Sequence, residues 1–154
     1  MEQPCIFAAY EEERTGFLLS TDPDKLQIEV IHRYLAEESY WWKPEDISHE
    51  KVRRFTRHSL CVGIYTLDGE TMAQVAFARA VTDYTTYAYL ADVFVLPGQR
   101  KQGLAKWMMT ALLAHPDMQG FRRWSLSTAD AHSLYAPFGF EVDTTPEKNM
   151  IYRP

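Results

Sequence analysis

At Val95-Leu96-Pro97-Gly98-Gln99-Arg100-Lys101-Gln102-Gly103-Leu104-Ala105 the chain passes from a strand pattern to a helix pattern. Residues 87–96, leading into it, are almost wholly apolar and predict a central strand, which Pro97-Gly98 ends. Beyond it, Leu104, Trp107, Met108, Ala111 and Leu112 recur at i, i+3, i+4, i+7 and i+8, the stripe of an amphipathic helix, stopped at His115-Pro116. A buried strand therefore turns into a helix whose first N–H groups have no intrahelical partner and sit at the positive end of its dipole. Such an end suits a pyrophosphate. Gly103 and Ala105 keep the approach narrow-sided around Leu104, and Arg100 and Lys101 add charge. The same residues also fit a plain strand-to-helix loop that happens to hold a glycine.

Outward from this turn the pattern alternates. Residues 1–16 carry little of it. A first strand is predicted over 17–20. Thr21 and Asp22 offer N-caps with Pro23 after them, and Ile28, Ile31, Tyr34 and Leu35 recur at helical spacing, so a helix is expected over 24–38. Ser-Tyr-Trp-Trp-Lys-Pro at 39–44 breaks it, and 46–58 reads as a second helix with Ile47, Val52 and Phe55 inward. Strands at 60–67 and 71–80 flank the hairpin signal Asp68-Gly69. A loop at 81–86 precedes the central strand. Downstream come a strand at 123–128, a short helical face of Ala131, Leu134, Tyr135 and Phe138 ended by Gly139, and short strands at 140–142 and 150–152. This order predicts a single α/β domain over 1–154, with a mixed, mostly antiparallel central sheet flanked by helices on both faces.

Composition narrows the function classes. The chain is 46% hydrophobic and 14% aromatic, enough for a packed core and against disorder. A net charge of -5 argues against nucleic acid as a partner. No apolar run approaches the roughly 18 residues of a membrane span, and the acidic start lacks a leader's basic region, so a cytoplasmic protein without membrane association is expected. Cys5 and Cys61 make neither a disulfide framework nor a metal cluster, and Cys61 lies in an apolar run as a small core residue. His32, His49, His58 and His115 show no ligand spacing, and no metal is assigned.

Two motifs carry a family resemblance. Arg100-x-x-Gly103-x-Ala105, after Val95-x-Pro97, resembles the acetyl-CoA signature of GNAT N-acetyltransferases, with Ala105 where a glycine is more usual. Ala131-His132-Ser133-Leu134-Tyr135-Ala136-Pro137-Phe138-Gly139-Phe140 resembles the segment Ala-x-x-x-Tyr-x-x-x-Gly-Phe of the same family. They stand in order with a helix and a strand between, and the resemblance covers about 60–142.

What the resemblance implies is specific. Acetyl-CoA is the co-substrate, and its acetyl group passes directly to a primary amine of a small molecule in a ternary complex. Phe94, Val95 and Leu96 pair with the pantetheine arm, and the N–H of Val95 or a neighbour polarises the carbonyl. Arg100, Lys101, Gln102, Gly103, Leu104, Ala105 and Lys106 hold the pyrophosphate. Thr128 stands where many members carry an asparagine that contacts the cofactor arm. Tyr135 protonates the leaving sulfur, or else is a core tyrosine beside Leu134 and Phe138.

Asp92 is a lone carboxylate in an apolar strand, which is costly unless paired or solvated. It reads either as the base, in a position resembling an acidic residue of polyamine acetyltransferases, or as a structural partner of backbone or of Arg79. His132 is the second base candidate, because it carries an imidazole, or a surface or cap residue. Tyr40, Trp41 and Trp42, with Tyr84 and Tyr87, fall in regions that line the acceptor pocket in the family and suit an apolar or cationic acceptor; Trp41 and Trp42 also fit as packing between helices and sheet. Acetylation of a protein or peptide, or acetyl-CoA binding without turnover, are the alternative functions. Dimers are frequent among relatives, so a homodimer is open.

Overall fold

The computed structural model describes residues 8–154; Cys5 lies outside them. Strands β1 (Glu11–Arg14), β2 (Phe17–Ser20), β3 (Leu60–Asp68), β4 (Thr71–Thr82), β5 (Tyr87–Val95) and β6 (Arg123–Leu126) form one sheet in chain order. Every pairing is antiparallel except that of β5 with β6. Parallel neighbours need a crossover, and helix α3 (Leu104–Ala114) is that crossover. Its Leu104, Trp107, Met108, Met109 and Leu112 pack on Val62, Ile64, Ala76 and Leu90, with α4 (His132–Tyr135) joining through Tyr135. On the other face α1 (Ile28–Glu37) and α2 (His49–Arg57) bury Ile31, Leu35 and Val52 against Phe77 and Phe94. The expected mixed, mostly antiparallel sheet with helices on both faces is therefore present.

Several boundaries differ, each for a physical reason. β1 is polar and has no local signature. It pairs with β2 across Gly16, whose φ is +78°, and its Glu12 accepts the Trp107 indole N–H at 2.9 Å while Arg14 lies 4.5 Å over that ring. The capping residue Asp22 serves a separate 3-10 turn, Pro23–Lys25, with Asp22 Oδ1 accepting the Asp24 N–H at 3.0 Å. The α-helix starts only at Ile28, because the Gln27 N–H is held by Gln74 Oε1 at 2.7 Å. α2 starts at His49, where Ser48 Oγ accepts the Lys51 N–H at 3.1 Å. The strands expected at 140–142 and 150–152 are absent: Asp143 accepts from Thr145 at 2.8 Å to start a turn, Pro146–Lys148 is 3-10, and Met150 is 97% exposed.

A bulge in β5 shapes everything that follows. Phe77 faces Phe94 and Arg79 faces Ala91, so Asp92 and Val93 stand opposite the single residue Ala78. Asp92 takes the left-handed φ of +52°, uncommon for a non-glycine residue. The extra residue inverts the strand's facing. Leu90, before it, packs with α3, whereas Phe94, after it, packs with α1 and α2.

Tyr65 in β3 is fully buried, and its hydroxyl has no partner among the described residues. Gly63 makes room for that ring, since a Cβ there would lie 2.5 Å from the Tyr65 oxygen. Removing an orphaned polar atom relieves its desolvation. Tyr65→Phe is thus expected to leave stability unchanged or raise it by about 1 kcal/mol in urea denaturation; a clear loss would show that the hydroxyl has a partner.

Candidate active site

β5 and β6 pair only from Tyr87↔Arg123 to Leu90↔Leu126. Past that point β5 stays with β4 through Val95, while the chain after Leu126 leaves toward α4. A cavity of about 1210 Å³ opens in the gap. Ala91, Val93 and Val95 form its floor, 126–131 with Tyr135 one wall, and Tyr34, Glu38 and 40–42 the other. The turn after β5 closes one end.

At that end Gly103 is the N-cap of α3, with φ +77° and no side-chain cap. The first intrahelical bond runs from the Trp107 N–H to the Gly103 carbonyl at 3.0 Å, so the N–H groups of Leu104, Ala105 and Lys106 have no partner within the helix. A Cβ on Gly103 would meet nothing within 4 Å. Glycine is required here by backbone angle, not by crowding in the free protein. Arg100, Lys101, Leu104, Ala105 and Lys106 line the cleft with it; Gln102 does not, its amide turning back to Gln99 O at 3.2 Å. Arg100 Nε donates to Val95 O at 3.0 Å and its Nη2 to Tyr34 Oη at 3.1 Å.

The floor presents a backbone edge that β6 does not pair. The Leu96 N–H donates to Val75 O at 2.8 Å, toward β4. Alternation then turns the N–H and C=O of Val95 the other way, into the cleft, as the Arg100 contact to Val95 O also shows. Phe94 lines the cleft but sends its ring into the core, stacked on Tyr34 at 4.0 Å; Leu96 packs in the core and does not line it.

Tyr135 is 8% exposed and lies at the cleft wall, its ring edge-on to Phe140 at 6.0 Å. Burial first, then the nearby Tyr40 and Asp130, push its hydroxyl up to about 12, so it keeps its proton at neutral pH. Thr128 lines the cleft beside it and accepts the Ala131 N–H at 3.0 Å. Tyr40 reaches across: its hydroxyl accepts the Ala129 N–H at 3.1 Å, tying the two walls together.

Asp92 sits at the bulge with a side chain only 3% exposed. Oδ1 accepts both indole N–H groups, from Trp41 at 2.8 Å and Trp42 at 2.9 Å, and Oδ2 accepts Arg79 Nε at 2.6 Å. The Arg79 guanidinium lies 4.2 Å over the Phe55 ring. One carboxylate thus fixes three cleft side chains, a tie that pairs two adjacent tryptophans in a loop with a residue 50 positions away. His132 is exposed and outside the cleft.

Tyr84 and Tyr87 are not brought to the cleft. Tyr84 packs with Met118, Phe121 and Trp124, and Tyr87 meets the Ser125 hydroxyl beside Arg122 and Arg123. Tyr87 precedes Asp92 by five residues, roughly 17 Å along a strand. Tyr89 lines the cleft instead, with Glu38 and Asp130, none of which the sequence reading picked out. Tyr89 was reachable by its two-residue spacing from Ala91; Glu38 and Asp130 carry no pattern.

A strand parting from its parallel neighbour beside an uncapped, glycine-led helix is the frame of an acyl-transferring enzyme. Residues 27–140 match the acetyltransferase (GNAT) family, and the chain belongs to that family. An acetyltransferase-named protein of Gibberella zeae is 32% identical over 139 residues, 79% of this chain and 77% of that one. The crystal structure of a protein assigned to GNAT acetyltransferases from Xanthomonas campestris pv. campestris is 46% identical, with a TM-score of 0.83 over 92% of this chain and 96% of that chain. A predicted acetyltransferase of Clostridium acetobutylicum, solved with acetyl-CoA, shares the fold at 16% identity and a TM-score of 0.56, over 76% and 82% of the two chains. No helix among the described residues is long and apolar enough to cross a membrane.

Proposed function

We propose that the chain acts as one N-acetyltransferase domain that moves an acetyl group from acetyl-CoA to a primary amine of a small molecule, both bound together. The observation that carries this is the meeting, in one cleft, of the Val95 edge, which β6 does not pair, and the uncapped start of α3. Bound acetyl-CoA supplies an acetyl carbonyl activated as a thioester. The N–H groups of Leu104, Ala105 and Lys106, with Arg100 and Lys101, receive the pyrophosphate. Arg100 leaves Val95 O and Tyr34 to do so, which frees that carbonyl for the pantetheine arm. The Val95 N–H polarises the acetyl carbonyl.

The amine nitrogen forms the new C–N bond with its lone pair as the C–S bond breaks. Sulfur leaves with the bonding electrons and takes the Tyr135 proton; the nitrogen's surplus proton passes to solvent, and Tyr135 is reprotonated from solvent. Asp92 serves this reaction by position: with three donors on its oxygens it anchors Trp41, Trp42 and Arg79 as one wall of the acceptor site.

Release of free thiol from acetyl-CoA, dependent on an added small primary amine, tests the activity; acetyl-CoA binding with no amine-dependent release would favour a module without turnover. Tyr135→Phe keeps the ring and its packing. It is expected to lower the rate by on the order of 100-fold, the low end for general acid catalysis because a thiolate is a fair leaving group, with melting temperature and acetyl-CoA affinity little changed. Equal rates under conditions where chemistry limits would leave Tyr135 a core tyrosine.

A further inference from the structure

Charge is sorted along the cleft. At the α3 end stand Arg100, Lys101 and Lys106, none with a carboxylate partner among the described residues. At the aromatic end Arg79 and Asp92 neutralise each other, leaving Glu38 and Asp130, whose side chains have no hydrogen bond or ion pair among the described residues. Glu38 is the C-cap of α1, where the negative end of the helix dipole adds to its charge. Tyr40, Trp41 and Tyr89 line the same half, and the indole of Trp41 is held in place by Asp92. Carboxylates beside fixed aromatic faces favour a cation.

Resting on the acetyltransferase reading above, we propose that the acceptor is a small amine carrying a second, non-reacting positive charge, a diamine or its equivalent, and that Glu38 and Asp130 select it. The charged far end binds among these two carboxylates and the aromatic rings. That charge lowers the basicity of the near nitrogen, so a larger share of it is neutral and can form the C–N bond, with the C–S bond breaking and the proton leaving as described. An amino acid of the same length would set its own carboxylate against Glu38 and Asp130.

The test compares butane-1,4-diamine, butylamine and 4-aminobutanoate in the thiol-release assay at fixed ionic strength. Exposed ion pairs and a cation–π contact together predict a kcat/KM for the diamine on the order of tenfold above butylamine, with 4-aminobutanoate lowest. Glu38→Gln with Asp130→Asn should bring the diamine to within about threefold of butylamine, mainly through KM, the residual being the aromatic contact. Equal kcat/KM for diamine and butylamine would overturn the inference while leaving acetyl transfer standing. A diamine preference that survives the double variant would overturn the role of Glu38 and Asp130. No release with any of the three, and no calorimetric binding of the diamine, would overturn both this inference and the proposed acetylation of small amines.

Discussion

Gly103→Glu is expected to abolish measurable acetyl-CoA binding, a loss of at least about 100-fold. Two hydrogen bonds to a charged phosphate are worth roughly 3–6 kcal/mol together, and each 1.4 kcal/mol is tenfold in affinity. A carboxylate at the N-cap of α3 competes for the same Leu104, Ala105 and Lys106 N–H groups and repels the pyrophosphate. The variant also strains the backbone, because Gly103 has φ +77° and an L-residue there costs about 1–2 kcal/mol. Gly103→Ala carries the same strain without the charge, and a Cβ there meets nothing within 4 Å. Both variants should therefore melt lower, Gly103→Glu by less because its carboxylate caps those N–H groups, while only Gly103→Glu loses the ligand in calorimetry. Unchanged affinity in folded Gly103→Glu would remove the phosphate from this turn.

The second large effect is expected at Asp92. All three of its partners are donors: two indole N–H groups and the Arg79 guanidinium. In Asp92→Asn the amide nitrogen must face one of them, and Arg79, whose side chain is 13% exposed, loses its counter-charge. Breaking a buried pair on one side costs roughly 3–5 kcal/mol, to be read as a shift of the urea midpoint. Acetyl-CoA affinity per folded molecule should be retained, since the α3 turn does not touch Asp92. Activity should fall through KM for the amine, as Trp41 and Trp42 lose their anchor. An Asn variant with unchanged stability but a collapsed kcat would instead identify Asp92 as the proton acceptor.

The contrast between Gly103 and Asp92 shows what was legible in the sequence. The α3 turn is local: strand, Pro-Gly stop, glycine and apolar stripe lie within about 25 consecutive residues, and their spacing alone exposed a helix start facing a strand end. Asp92 was conspicuous as a carboxylate in an apolar strand, and Arg79 was a named partner. The two indoles were not foreseeable, because they come from a loop some 50 residues earlier that folds over β5, and no residue type at 91–93 signals the left-handed bulge. Pattern also misled where it was generic. Tyr84 and Tyr87 are aromatics near a loop, but they belong to the far end of β5 and pack with or beside β6. β1 was invisible because it is polar and is held by Trp107 through Glu12 and Arg14. Phe140-Glu141-Val142 and Met150-Ile151-Tyr152 resembled strands yet pair with nothing among the described residues.

Titrating acetyl-CoA into isotope-labelled protein while following backbone amide resonances locates the cofactor on the chain. Saturable shifts are expected, concentrated at Leu104, Ala105 and Lys106, where phosphate oxygens would accept the free N–H groups, and at Val95 on the β5 edge. Saturable shifts confined to other surfaces, such as the small pocket at Thr86, Tyr87, Arg122 and Arg123, with the α3 start and Val95 unmoved, would remove acetyl-CoA from the cleft between β5 and β6.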